Sequence, residues 1–233
     1  MAKKRKSKFR FKVSYEASLL TLITFLISIA SLSWQIINYF EGAQVRLITP
    51  DQITIGSSPK MNYPNRGGGP YVHFITRMSY VNSASAGYNA TVSAERVRIS
   101  VNGQHAFEYR WYYLVKSDAV GKDGNELKVD KELYGQPFAL AAGSSTSHET
   151  LYQPWHRDCS TAAAPCTALD NYVDWKTFMQ WFGDKHTLEF EFFADIFGRA
   201  APISAKCRVE MPNERFAELQ TREWASPVCT AVQ

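Results

Sequence analysis

The apolar residues divide the chain into two regimes. From Ala17 to Phe40 there are 24 residues without Asp, Glu, Lys, Arg or His, centred on Leu19-Leu20-Thr21-Leu22-Ile23-Thr24-Phe25-Leu26-Ile27. As a helix rising about 1.5 Å per residue, this run spans roughly 36 Å, enough to cross a hydrocarbon layer of about 30 Å with some tilt. Trp34 and Tyr39 lie near its far end, where amphipathic rings favour the membrane–water boundary. Beyond Glu41 the period changes to two. Val72, Phe74, Met78 and Tyr80 stand apart from His73, Arg77 and Ser79; Val97, Ile99 and Val101 alternate with Arg96, Arg98 and Ser100. Leu188, Phe190 and Phe192 alternate with Glu189 and Glu191, and Cys207, Val209 and Met211 with Arg208 and Glu210. Each run offers one apolar and one wet face, as in an antiparallel sheet.

Shorter strand candidates lie at 44–49, 52–56, 105–116, 136–142 and 146–152. Asn102-Gly103 suits a two-residue type I′ hairpin, Asn65–Pro70 is a flexible breaker, and Asp123-Gly124-Asn125 marks a loop tip. Many short strands separated by turns predict a mainly β fold, an antiparallel immunoglobulin-like β-sandwich. The interval near 153–185 departs from this pattern. Trp175, Phe178, Met179 and Phe182 fall at i, i+3, i+4 and i+7, with Asp174 placed to cap the start and Gly183 to follow the end, so a short helical insertion is expected. The plan is therefore a basic cytoplasmic tail at 1–16, a transmembrane helix at 17–40, and an extracytoplasmic β-sandwich domain at 41–233.

Charge sharpens this plan. Lys3, Lys4, Arg5, Lys6, Lys8, Arg10 and Lys12 precede the apolar run, and removing them and Glu16 leaves 19 basic and 21 acidic residues, a net −2 from Glu41 onward. The basic flank puts the N-terminus in the cytoplasm and the domain in the periplasm or outside the cell. A nucleic-acid partner is excluded, since it needs a basic stripe on the folded domain. A cleaved signal peptide is the competing reading, with Ser28-Ile29-Ala30 as a small-x-small site. The uncharged run continues ten residues past Ala30, which favours a single-pass anchor. Ser79-Tyr80-Val81-Asn82, closing one strand, and Phe138-Ala139-Leu140-Ala141-Ala142-Gly143, opening another, loosely resemble segments of membrane-tethered bacterial immunoglobulin-like domains. The resemblance implies a sandwich and carries over no functional residue.

Candidate chemistry is sparse. The four cysteines, Cys159, Cys166, Cys207 and Cys229, all lie in the outer part, which outside the cytoplasm implies disulfides, with Cys159–Cys166 and Cys207–Cys229 as the expected pairs. Cys159 and Cys166 bracket a small-residue loop; Cys207 faces inward on a late strand and needs a partner brought to it by the tail. In the helix, Ala17, Thr21, Thr24, Ser28, Ser31, Gln35 and Asn38 recur at heptad spacing. Thr21, Thr24, Ser28 and Ser31 are the candidate helix-contact residues, against the alternative that their hydroxyls bond back to their own helix. Trp155, Tyr172, Trp175 and Trp181 are a candidate partner surface, against the favoured alternative that the insertion plugs one open end of the domain.

His148-Glu149-Thr150-Leu151 begins like a zinc-protease motif, but Tyr152 stands where the second His is needed and the segment reads as a strand. His156, Asp158 and Cys159 share a loop but form no catalytic set once Cys159 is oxidised. Asn89-Ala90-Thr91 is a glycosylation sequon. No cofactor or metal site and no catalytic constellation emerges. The expected function is non-enzymatic: an interaction or structural protein, a scaffold or accessory subunit of an envelope complex. Its partners would be the bilayer and another membrane or envelope protein, or a second copy of itself. The alternative is a module that reports a small molecule or glycan to a membrane partner.

Overall fold

The computed structural model describes residues 15–57, 71–85, 87–120, 126–153 and 173–232. Cys159, Cys166, Trp155 and Tyr172 lie outside the described residues, as does the expected loop tip at 123–125. Two compact units are present, Met1–Gly42 and Ala43–Gln233.

The first unit is a helix, α1 (Tyr15–Glu41). Every described side chain from Leu19 to Ile36 is exposed, and this 18-residue stretch is long and apolar enough to cross a membrane. Thr24 donates to the Leu20 carbonyl at 2.9 Å and Ser28 to the Thr24 carbonyl at 2.8 Å, so both hydroxyls are satisfied within the helix.

The second unit is mainly β. In chain order it runs β1 (Val45–Ile48), β2 (Ile53–Ser57), β3 (Val72–Asn82), β4 (Ala90–Val101), β5 (His105–Val120), β6 (Glu126–Tyr134), β7 (Phe138–Leu140) and β8 (Ser144–Gln153). It continues with α2 (Trp175–Trp181), β9 (Thr187–Ile196), β10 (Ile203–Glu210), α3 (Asn213–Arg222), β11 (Trp224–Ala225) and β12 (Thr230–Ala231). All twelve strands join one antiparallel sheet in the order β11-β2-β3-β8-β5-β4-β9-β10-β12, with β1 on β3, β6 on β5 and β7 on β4. The hydrogen bonding thus gives one continuous sheet where the immunoglobulin-like reading expected two. The reason lies in β5, 16 residues long. Its first part pairs β4, Arg110–Val115 pairs β8 and Tyr113–Val120 pairs β6, with irregularities at Trp111/Tyr113 and Leu114/Val115 that bend it.

The sheet curls until its halves face each other. Phe74 on β3 and Phe190 on β9 stand four strands apart along the sheet, yet their rings are 5.3 Å apart; Tyr152 on β8 and Phe192 on β9 are 6.0 Å apart. The inward rows seen as alternation build this core: Phe74, Met78 and Tyr80, then Val97, Ile99 and Val101, then Leu188, Phe190 and Phe192 are all buried. A second, smaller cluster of Ile75, Val115 and Leu151 forms on the outer face and is covered by Tyr113, Leu127 and Val129. Elsewhere the outer face is wet. Glu108, Arg98, Glu191 and Lys206 form a row of alternating charge across β5, β4, β9 and β10, linked at 3.9, 3.8 and 2.9 Å. These half-exposed pairs add a few tenths of a kcal/mol each, roughly, and keep that face soluble.

The segment after α3 closes the sheet. Trp224 and Ala225 pair with Gly56 and Ile55 of β2, Val228 bridges Gln52, and Thr230 and Ala231 pair with Arg208 and Cys207 of β10. Eight residues, 224–231, therefore stitch one edge of the sheet to the other. Cys229 is bonded to the inward Cys207, with Cα atoms 5.5 Å apart.

Candidate functional site

Three places carry polar or aromatic groups in unusual settings. The first is the α2 end. Asp174 caps the helix, accepting from the Thr177 backbone N–H at 3.0 Å. The face spaced as expected turns inward: Phe178 meets Phe74 at 6.0 Å, and Phe182 meets Phe216 of α3 at 5.1 Å. Trp175 is only 8% exposed, so it is a core side chain and not part of a free contact surface. An amphipathic helix of two turns gains more by burying its apolar face on its own domain than by displaying it. Trp181 is half-buried and stacks on His105 at 4.7 Å. The structure therefore does not gather Trp175 and Trp181 into one exposed patch.

The second place was not singled out in the sequence. Glu95 of β4 is 0% exposed. It stands in the inward row of Val97 and Ile99, and a bulge between Val92 and Ala94 shifts the register just before it, so that Val92 shares that face. Tyr152 donates to its carboxylate at 2.9 Å, Thr150 at 3.1 Å, and His148 Nε2 lies 2.8 Å away. These three partners are successive inward positions of β8, the segment that resembled a zinc-protease motif. Burial, then the charge of Glu95, pushes the Tyr80 and Tyr152 phenols far above their ordinary range, so both stay protonated. The Tyr80 hydroxyl faces the same carboxylate without reaching hydrogen-bond geometry. His148 links the cluster to solvent, its side chain 15% exposed. Three side chains of one strand thus meet the carboxylate, an arrangement of internal satisfaction. A signal for it existed: stepping back two from Val97 puts Glu95 in the apolar row, and a carboxylate there must find donors.

The third place is a groove of about 670 Å³ beside the closing segment, bordered by Arg208, Arg215, Pro227 and Val228. Its arginines are already engaged, Arg208 by Glu189 at 2.6 Å and Arg215 by Glu218 at 2.8 Å. Among the described residues no three of His, Cys, Asp and Glu converge as metal ligands. Thr21, Thr24, Ser28 and Ser31 all lie exposed along α1.

The chain matches no family model and no curated protein. Among solved structures it is similar to a Bordetella pertussis protein provisionally named ApaA, at 11% identity and a TM-score of 0.30, over 74% of this chain and 97% of that one. It is also similar to a protein from Archaeoglobus fulgidus, at 10% identity and a TM-score of 0.31, over 72% of this chain and 96% of that one. Likeness at this level says nothing about what the chain does.

Proposed function

We propose that the protein is a non-enzymatic, single-pass membrane protein whose curled β domain works outside the cytoplasm as a scaffold or accessory subunit of an envelope complex. The observation that carries this reading is the helix Leu19–Ile36, whose side chains are all exposed, while the second unit buries a core of its own. An apolar surface of that extent is unstable in water and is stable in lipid. The basic tail orients the helix with its N-terminus inside, and the Cys207–Cys229 bond suits an oxidising compartment. The facing of β3 and β8 against β9 across a shared core supports a sandwich-like arrangement of the immunoglobulin kind. The Glu95 cluster supports a structural role, since its carboxylate is wholly buried and is bonded by three side chains of β8. The groove beside the closing segment does not favour a ligand-binding module, because its cations are already paired.

Topology is checked with a Ser7→Cys variant in intact cells. An impermeant thiol reagent should leave position 7 unlabelled until lysis; labelling beforehand would overturn the orientation. Extraction in mild detergent should then co-purify a stoichiometric membrane or envelope protein, or a dimer of this chain. A monodisperse monomer with nothing bound would overturn the scaffold reading.

A further inference from the structure

We propose that the Ala43 end of the domain is a lipid-contacting surface, seated in the headgroup layer through Phe197 and the turn that carries it. This rests on the membrane-anchor reading and adds which end of the domain meets the bilayer.

Connectivity supplies the first argument. α1 ends at Glu41 and the domain begins at Ala43, so Gly42 alone joins them. One residue spans at most about 3.6 Å, so whatever lies beside Ala43 is held close to where the helix leaves the hydrocarbon. The turn between β9 and β10 lies there: the Arg199 guanidinium donates to the Ala43 carbonyl at 3.2 Å. The turn is firmly built, with the Phe197 N–H on the Thr91 carbonyl and the Arg199 N–H on the Ile196 carbonyl, both at 2.9 Å, and Gly198 at a φ of 82°.

At the tip of this turn Phe197 is 82% exposed, more than any other large apolar side chain described. The domain buries a large aromatic and aliphatic core of its own and gains nothing in folding from this exposed phenylalanine, whereas an aromatic ring gains at a lipid boundary. Charge agrees. Among the described residues of 43–44, 83–89, 141–143 and 197–202, Arg199 is the sole charged side chain. One step inside, Asp195 is held by Arg96 at 3.9 Å. The opposite end is different, presenting Asp184, Lys185, Glu214, Arg215 and Glu218. An anionic headgroup layer disfavours carboxylates and accepts arginine, so these four turns suit it, while Asp118 and Glu126 of the β5–β6 hairpin are the acidic groups towards the same end of the sheet.

The test uses the full chain, oxidised, in nanodiscs of mixed zwitterionic and anionic lipid. An environment-sensitive thiol dye is placed in turn at Phe197→Cys, Lys185→Cys and Leu26→Cys, with the unsubstituted protein as blank. The quencher is a lipid carrying bromine on shallow acyl carbons. The dye at 197 should shift to the blue and lose roughly half its emission, as a group seated about 5–10 Å into the boundary does, while the dye at 185 stays water-like. If 26 is quenched but 197 is not, or if 197 and 185 respond alike, the docking surface is refuted and the anchor stands. If 26 itself escapes quenching, the anchor reading is refuted and the docking surface with it.

Discussion

Glu95 is the residue on which the interior depends most. It is wholly buried and takes hydrogen bonds from His148, Thr150 and Tyr152. Glu95→Ala would leave those groups without an acceptor and should destabilise the fold by about 3 kcal/mol, with Glu95→Gln costing about half as much because its hydroxyl partners can rotate. Denaturant unfolding of the full-length protein in micelles measures both; equal midpoints for all three proteins would mean the network adds nothing. His73 behaves in the opposite way. Its ring is buried against Gly56, its Nδ1 has no partner, and burial holds its pKa at about 4 against an ordinary 6.5. The folded protein therefore binds this proton less well than the unfolded chain. The stability His73 supports is complete above pH 6.5 and drains as pH falls towards 4, by on the order of 3 kcal/mol. His73→Phe should flatten that part of the stability–pH curve, and a variant with an unchanged slope would assign the acid sensitivity elsewhere. At this scale the sequence was half legible. Alternation placed Phe74, Val97 and Phe190 inside and Arg98 and Glu191 outside, and carried back from Val97 it puts Glu95 inside as well, but it gave no notice of the bulge at Val92/Ala94 that brings Val92 to the same face, because a bulge is set by the partner strand.

Among the elements, the hairpin at Asn102-Gly103 was readable because its chemistry is local, although Val101 pairs with His105 and the connection therefore has three residues, 102–104, where two were expected. Both residues have positive φ, 52° and 70°, as a type I′ turn demands. The side chain of Asn102 also reaches beyond the turn, donating to the carbonyls of Trp181 and Phe182 at 2.9 and 2.7 Å and accepting from the Thr187 N–H at 3.2 Å. It thereby caps the last turn of α2. Asn102→Gly should keep the turn and lose the cap, costing about 1 kcal/mol, while Asn102→Ala adds backbone strain and should cost about 2 kcal/mol. A thermal melt of both separates the two contributions. β6 was not foreseen, since Glu126–Tyr134 mixes five charged residues with Leu127 and Val129, and those two are half-buried only because β5 brings them over Ile75, Val115 and Leu151. α3 has just Phe216 and Leu219 as buried positions, too few for a helical period to stand out. For α1, replacing Thr21, Thr24, Ser28 and Ser31 with Leu should weaken association in a bilayer reporter assay more than replacing Leu20, Ile23 and Ile27 with Val. Equal losses would reduce the stripe to internally bonded hydroxyls, as the Thr24 and Ser28 geometry already allows.

At the scale of the whole domain, closure depends on the segment 224–232. It joins β2 to β10, and the Cys207–Cys229 bond, spanning 22 positions, fixes it there. Replacing both cysteines with Ala should lower stability by about 3 kcal/mol in the chain-entropy picture. Hydrogen exchange should quicken first in 224–232 and along β2 and β10, while β4 and β9 stay protected. Uniform quickening would show instead that the bond acts only through the unfolded chain. The expectation that Cys207 faces inward came from its alternation with Val209 and Met211. Curling of the sheet was not legible in the same way, because it is decided by contacts such as Phe74 with Phe190, which no local period encodes.

Closure by so late a segment also sets the order of events during synthesis. The Gln52 side chain bonds the Ser226 carbonyl, 174 positions later. At translation rates of about 5–20 residues per second, β2 leaves the ribosome roughly 10–35 s before its outer partner exists. Through that interval its edge offers unpaired backbone groups, the kind that invite mispairing with another chain. The nascent domain is thus most exposed before its last segment has been made, and a companion that shields a strand edge would matter more then than at any later moment.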